Sequence, residues 1–206
     1  MILETVNVGP MQVNCYILAC AGGGLAMIID PGDQAPKIKA VLDKHRLKPA
    51  MVINTHGHYD HIGSDDEFGV PVYVHKKDLP MLVDARKNFS ASFSLAYRVN
   101  SEIKTLEDKE IIKLDCLELE VIHLPGHTPG GIGLLMKKPQ TDIIFTGDTL
   151  FYQGVGRSDL PGGSQQLLDK AIRDRLFILP ANTKVYPGHG AATTIAREKS
   201  SSAFGL

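Results

Sequence analysis

No stretch of this sequence stays apolar for the roughly 18 residues that a membrane-crossing helix needs, so no span is expected. The N-terminus, MILETVNVGPMQVNCYIL, has neither a charged leader nor an uninterrupted apolar run followed by a cleavage site. Charge of one sign is also missing. Lys and Arg number 22 against 23 Asp and Glu, a formal net charge of -1, and this supplies no basic surface for nucleic acid. Cysteine is scarce: Cys15, Cys20 and Cys116 are odd in number and lack CxxC spacing. Reduced thiols in a cytoplasm are the expectation. There is no internal repeat and no low-complexity linker, and 206 residues suit one domain spanning 1–206. Nothing in the sequence fixes an oligomeric state.

Histidine, by contrast, is concentrated. Thr55-His56-Gly57-His58-Tyr59-Asp60-His61 packs three imidazoles and a carboxylate into six positions. A water-exposed turn has little use for that density, whereas zinc and iron are commonly held by such donors. The run before it, Ala50-Met51-Val52-Ile53-Asn54, has the apolar character of a buried strand, so the histidines sit where a strand gives way to a loop. Reactive groups usually gather at such strand ends in layered α/β proteins.

Along the chain, strand patterns alternate with helical ones. Strands are expected over 3–8, 13–19 and 25–29, the last two joined across Gly22-Gly23-Gly24. A helix over 35–45 follows from Ile38, Val41 and Leu42 at helical spacing. Further strands are expected at 50–54, 71–75, 110–114, 117–124, 131–136, 142–146 and 184–186, with mixed helix and loop between Lys76 and Ser101. A second helix over 164–175 places Ser164 as its cap, and a short one starts near Thr193.

Three more loops carry donors, each directly after an apolar strand: His127 in LPGHTPGG, Asp148 in FTGDTL and His189 in YPGHG. Each has glycine immediately before it, which lets the backbone turn sharply or approach an ion. Singly these are weak signals. With the first loop they make five histidines and two aspartates, more donors than one structural zinc site uses, so two ions are the economical reading. His75 and His123, at strand positions, read as packed residues, and His45 as a partner of its helix C-terminus.

HGHYDHIG, LPGHTPGG, FTGDTL and YPGHG, in this order, resemble the metallo-β-lactamase superfamily across essentially the whole chain, and FTGDTLFYQGVGRSDLPGGS most resembles its small glyoxalase II-like hydrolases. The resemblance implies an α/β fold, an αββα four-layer sandwich of two mixed β-sheets flanked by helices, with the metal centre along one edge of the paired sheets. It implies that His56, His58 and His127 hold one metal, that Asp60, His61 and His189 hold a second, and that Asp148 bridges them. Two divalent ions follow, zinc first, with iron or manganese compatible with the same donors. Asp60 and Asp148 would carry the catalytic roles. A hydroxide shared by two ions needs no Ser or Cys nucleophile, and the substrate class implied is a small-molecule acyl-thioester of the S-lactoylglutathione type.

Asp30, in IIDPG, resembles the family's first acidic motif and is a candidate to orient the histidine loop. Arg157 and Asp159 are candidates for the substrate mouth, or else a loop-stabilising ion pair. Asn14-Cys15-Tyr16 resembles the family's N-terminal strand, with Cys15 read as core. The sequence ends soon after His189, so the helical C-terminal segment with which full-length glyoxalase II enzymes hold glutathione is expected to be missing, as is their aromatic contact near Arg157. Alternatives on the same residues are a mononuclear iron persulfide dioxygenase using His56, His127 and Asp148, a phosphodiesterase or lactonase, and a non-catalytic metal-binding protein.

Overall fold

The structure is a computed structural model and describes residues 1–200. The first sheet takes the order β1 (Ile2–Val8), β2 (Val13–Ala19), β3 (Leu25–Ile29), β4 (Lys48–Ile53), β5 (Val72–His75), β6 (Ile103–Leu106). Its first three strands pair antiparallel and the rest parallel. The parallel step from β3 to β4 needs a crossover, which α1 (Ala35–Lys44) supplies. Short helices α2 (Tyr59–Ile62) and α3 (Leu79–Leu82) lie in the later connections.

The second sheet is built from β7 (Ile111–Leu114), β8 (Leu117–His123), β9 (Ile132–Lys138), β10 (Ile143–Gly147), β13 (Lys184–Pro187) and β14 (Thr193–Thr194), in the order β14-β13-β10-β9-β8-β7. Only the β10–β13 pair is parallel. A two-stranded hairpin, β11 (Leu150–Phe151) with β12 (Gly154–Val155), precedes α4 (Gln165–Ala171), and α5 (Ile195–Lys199) closes the described chain.

Alternation of side chains along the strands sorts the apolar residues into layers. On β2, Cys15, Ile17 and Ala19 face outward and pack under Ile38 and Leu42 of α1, while Tyr16 and Leu18 face the other sheet. Every residue of β2 is buried, as a strand covered on both faces must be. Between the sheets, Met27, Ile29 and Ile53 meet Leu119, Val121, Leu134 and Phe145. On the outer face of the second sheet, Ile122, Ile144 and Val185 pack against Leu168 and Ala171 of α4 and Ile172 beyond it. The result is two mixed sheets flanked by helices, the αββα sandwich. No helix among the described residues is long and apolar enough to cross a membrane.

Several local expectations change. The helix over 164–175 keeps its cap, Ser164 accepting from the Leu167 N–H, but after Ala171 it widens into a π turn over Ile172–Leu176. The edge strand β6 was not anticipated, since it is only four residues long and two of them, Lys104 and Thr105, are exposed. The clearest correction concerns the thiols: Cys20 and Cys116 form a disulfide across 96 residues, and only Cys15 is free. Cys20 follows β2 in one sheet and Cys116 occupies the β7–β8 turn of the other, so face-to-face packing brings their Cα atoms to 5.8 Å, within bonding range. That removes the argument from reduced thiols to a reducing compartment. Unfolded without reductant, the protein should titrate one thiol per chain, and three after reduction; three in both would mean that the bridge does not form.

Candidate metal centre

The centre forms where strands of both sheets end on the same edge. Beyond β4, the Thr55 N–H donates to Asp30 Oδ1 and the Thr55 hydroxyl to Asp30 Oδ2, both at 2.7 Å. Asp30 itself follows β3, the parallel neighbour of β4, and takes a left-handed backbone at φ 51°. Its Oδ2 also accepts from His61 Nδ1 at 3.0 Å, leaving Nε2 of that ring to face inward. The residue therefore fixes both the start of the histidine loop and the aim of a ring on α2.

The other rings are held by the same logic. His127 Nδ1 donates to the Arg157 carbonyl at 2.7 Å, and His189 Nδ1 to the Met11 carbonyl at 3.0 Å. A carbonyl can only accept, so both rings carry a proton on Nδ1 and turn Nε2 inward. His56 Nδ1 lies 3.2 Å from the Thr55 hydroxyl, which passes the contact on to Asp30. His58 differs, turning its Nδ1 to within 2.9 Å of His127 Nε2. The loop carrying His189 is clamped to the first sheet, where Asn14 Nδ2 and the Tyr16 hydroxyl both donate to the Pro187 carbonyl, at 3.0 and 2.6 Å.

Three overlapping groups result: His56, His58 and His127; His56, His61 and Asp148; and Asp60, His61 and His189, each with donor atoms within 4.8 Å of one another. Asp148 stands between them, its Oδ1 3.5 Å from His61 Nε2 and its Oδ2 3.6 Å from His127 Nε2 and 3.5 Å from His189 Nε2. Two glycines keep this corner open, one for Asp148 and one for Thr55. A Cβ at Gly188 would fall 2.1 Å from Asp148 Oδ1, and one at Gly147, where φ is +49°, would fall 2.3 Å from the Thr55 hydroxyl.

The electrostatics keep both carboxylates of the centre ionised. Burial works against ionising Asp60 and Asp148, but the rings of His61 and His189 outweigh it and hold both carboxyls below their usual range. Burial also opposes charge on His61 and His189, yet Asp148 and Asp60 lift them to about 9 and about 10. Deeper in, burial and neighbouring rings push His56 well down and His58 to about 3. The inner rings therefore stay neutral, with lone pairs available. Two buried atoms, His56 Nε2 and Asp148 Oδ1, have no hydrogen-bond partner. An unpaired buried polar atom costs roughly 1–3 kcal/mol, and a cation among these nitrogen and oxygen donors would satisfy both.

A family model described as the metallo-beta-lactamase superfamily matches residues 8–189. The chain belongs to that superfamily. Among its curated relatives is an uncharacterized protein of Mycobacterium tuberculosis, 39% identical over 213 residues that cover 97% of this chain and 95% of that protein. Another is the hydroxyacylglutathione hydrolase GloC of Haemophilus influenzae, 33% identical over 211 residues, 99% of this chain and 98% of that one. A crystal structure of BLEG-1 B3 metallo-beta-lactamase superposes with a TM-score of 0.88 at 33% identity over 96% of both chains. One of TTHA1623 in a di-iron-bound form gives 0.82 at 34% identity, covering 96% of this chain and 98% of that one. Superfamily members typically bind a dinuclear metal site, and the His and Asp clusters here have the donors for one.

Within this superfamily member, Arg157 and Asp159 pair with each other outside the donor cluster. The guanidinium Nε and Nη2 donate to Asp159 Oδ1 and Oδ2, both at 2.8 Å, and the two side chains are exposed. Only the backbone carbonyl of Arg157 reaches the centre. Cys15 is buried against α1, and burial pushes its thiol up, away from reactivity. His75 and His123 stack on each other at 4.2 Å, away from the donors.

One residue escaped the sequence reading. Asp78, fully buried, accepts from the Gly57 N–H at 3.1 Å and from the Thr128 hydroxyl and Gly130 N–H at 2.6 Å each. It ties the loop of His56 and His58 to the loop of His127. Nothing in Lys76-Lys77-Asp78-Leu79 signals this. Replacing Asp78 with Ala strands three buried donors and loosens both loops, so metal affinity should fall about 10-fold or more. Arg157→Ala should leave metal content unchanged, because the backbone carbonyl survives the substitution. Metal titration of the two variants checks this, and equal affinities would remove Asp78 from the centre's support.

Proposed function

We propose that the chain is a metal-dependent hydrolase of acyl-thioesters, with His56, His58 and His127 holding one divalent ion, Asp60, His61 and His189 the other, and Asp148 bridging. The observation that carries this reading is Asp148, seated between the two histidine groups with one buried oxygen that no hydrogen bond satisfies. Zinc is the first choice of metal, with iron or manganese compatible with the same donors. When bound, such a pair supplies a water acidified toward neutral pH and a Lewis acid for the carbonyl.

The chain's own residues do the rest. Thr55, Asp30, Arg157 and Met11 lock ring tautomers and orientations, so little reorganisation is needed as charge develops. Asp60 and His189 lie on the more open side, the His189 side chain 26% exposed, and substrate would enter there, next to Asp60. The donor groups among the described residues consist of His and Asp, and attack by water is the route that fits them. A thiolate leaves readily, which makes a thioester an undemanding substrate for this arrangement. Similarity to GloC supports the same class.

A persulfide dioxygenase using one iron would leave the Asp60–His61–His189 group without a use. Protein purified without added ions should carry about two metals per chain and cleave simple thioesters. Asp148→Asn should lower metal content and turnover together, turnover by at least about 100-fold if bridging supplies the ~2.7–4 kcal/mol typical of one electrostatic stabiliser. One iron per chain with oxygen uptake on a persulfide would replace the hydrolase reading, and full activity in the variant with both metals retained would end the bridging role.

A further inference from the structure

Beside the donor cluster lies a cavity of about 650 Å³, the size of an ordinary small-molecule site. It touches the centre at two points. Asp60 is part of its wall, and so is Met11, whose carbonyl holds His189. The remaining wall is largely apolar, with Phe93, Leu95 and Tyr97 contributed by the segment between α3 and β6. Met11, Phe93 and Leu95 are 51%, 58% and 51% exposed, a degree of exposure at three large apolar side chains around one cavity that marks a binding surface. Phe93 leans on Tyr59 with ring centroids 4.9 Å apart, which anchors this wall to the helix carrying Asp60. Non-glycine residues in left-handed backbone, Phe89 and Ser94, flank the short turn that presents Phe93.

Charge sharpens the reading. Among the described residues lining the cavity, the only charged ones are Asp33 and Asp60; there is no Lys or Arg. Glutathione carries two carboxylates and a net negative charge, and this wall offers them no cation and one carboxylate beyond the metal-ligating Asp60. We propose that the cavity is the specificity subsite of the centre and takes an uncharged apolar group of the substrate, aliphatic or aryl, in preference to a glutathione carrier. The inference rests on the neighbouring centre being hydrolytic, but the cavity's preference for apolar groups is measurable without turnover.

The test is calorimetric binding of three stable thioethers to the metal-loaded protein: S-methyl-N-acetylcysteamine, S-hexyl-N-acetylcysteamine and S-hexylglutathione. The hexyl compound should bind at least about 10-fold more tightly than the methyl one, since each buried methylene adds to affinity. S-hexylglutathione should bind no more tightly than its neutral counterpart. Leu95→Asp should collapse the hexyl-to-methyl ratio toward one, and Phe93→Ser provides a second variant at another exposed position should the first fail to fold. Equal binding of methyl and hexyl compounds, tighter binding of S-hexylglutathione, or an unchanged ratio in the folded variant would overturn the proposal. Hydrolysis of the matching acetyl and hexanoyl thioesters is scored separately. Binding preference without any turnover retires the thioester reading and keeps the subsite, whereas turnover without the preference retires the subsite alone.

Discussion

Five imidazoles and two carboxylates share one buried corner because four of the five rings have a fixed partner on the nitrogen facing away from it. Asp30 takes His61 directly and His56 through Thr55, while the carbonyls of Arg157 and Met11 take His127 and His189. With Asp60 and Asp148 these rings make a converging set of nitrogen and oxygen donors that a cation would stabilise. Several irregular features of the fold serve this requirement: the left-handed Asp30, the bare backbone at Gly147 and Gly188, and the clamp of Asn14 and Tyr16 on the Pro187 carbonyl.

The sandwich makes the corner possible. Each sheet contributes strand ends on the same edge, and the apolar layer between Met27, Ile29 and Ile53 on one side and Val121, Leu134 and Phe145 on the other holds those ends in register. A fully buried side chain of this size contributes about 1.5–3 kcal/mol, so the layer as a whole can carry the cost of gathering buried polar groups at its rim. Asp78 then joins loops from the two sheets directly. The centre is asymmetric as a result. His56 and His58 are deeply buried and kept neutral, while His189 is partly exposed and Asp60 forms part of the wall of the apolar cavity.

Much of this was legible in advance because periodicity and motif are local signals. The central strands and the long helices follow from apolar spacing, and the donors stand out because His-x-His-x-Asp-His and the three glycine-preceded ligands recur at strand ends. The misses share a physical character. Cys20 and Cys116 are 96 residues apart, and only sheet-on-sheet packing shows that they meet. Asp78 looks like any helix-entry aspartate until three donors are seen to converge on it. Edge strand β6 is short and half exposed, so it lacks the alternation that marks a covered strand.

The sequence by itself determined the family, the layered α/β architecture and the seven candidate donors, since each is written in residue type and short-range spacing. Tertiary structure alone decided which ring nitrogen each histidine presents, where Asp148 stands between the two groups, and that Phe93, Leu95 and Tyr97 form an apolar wall beside Asp60. The reason is distance along the chain. Those features depend on contacts between segments tens to more than a hundred residues apart, and their geometry exists only once both sheets have packed.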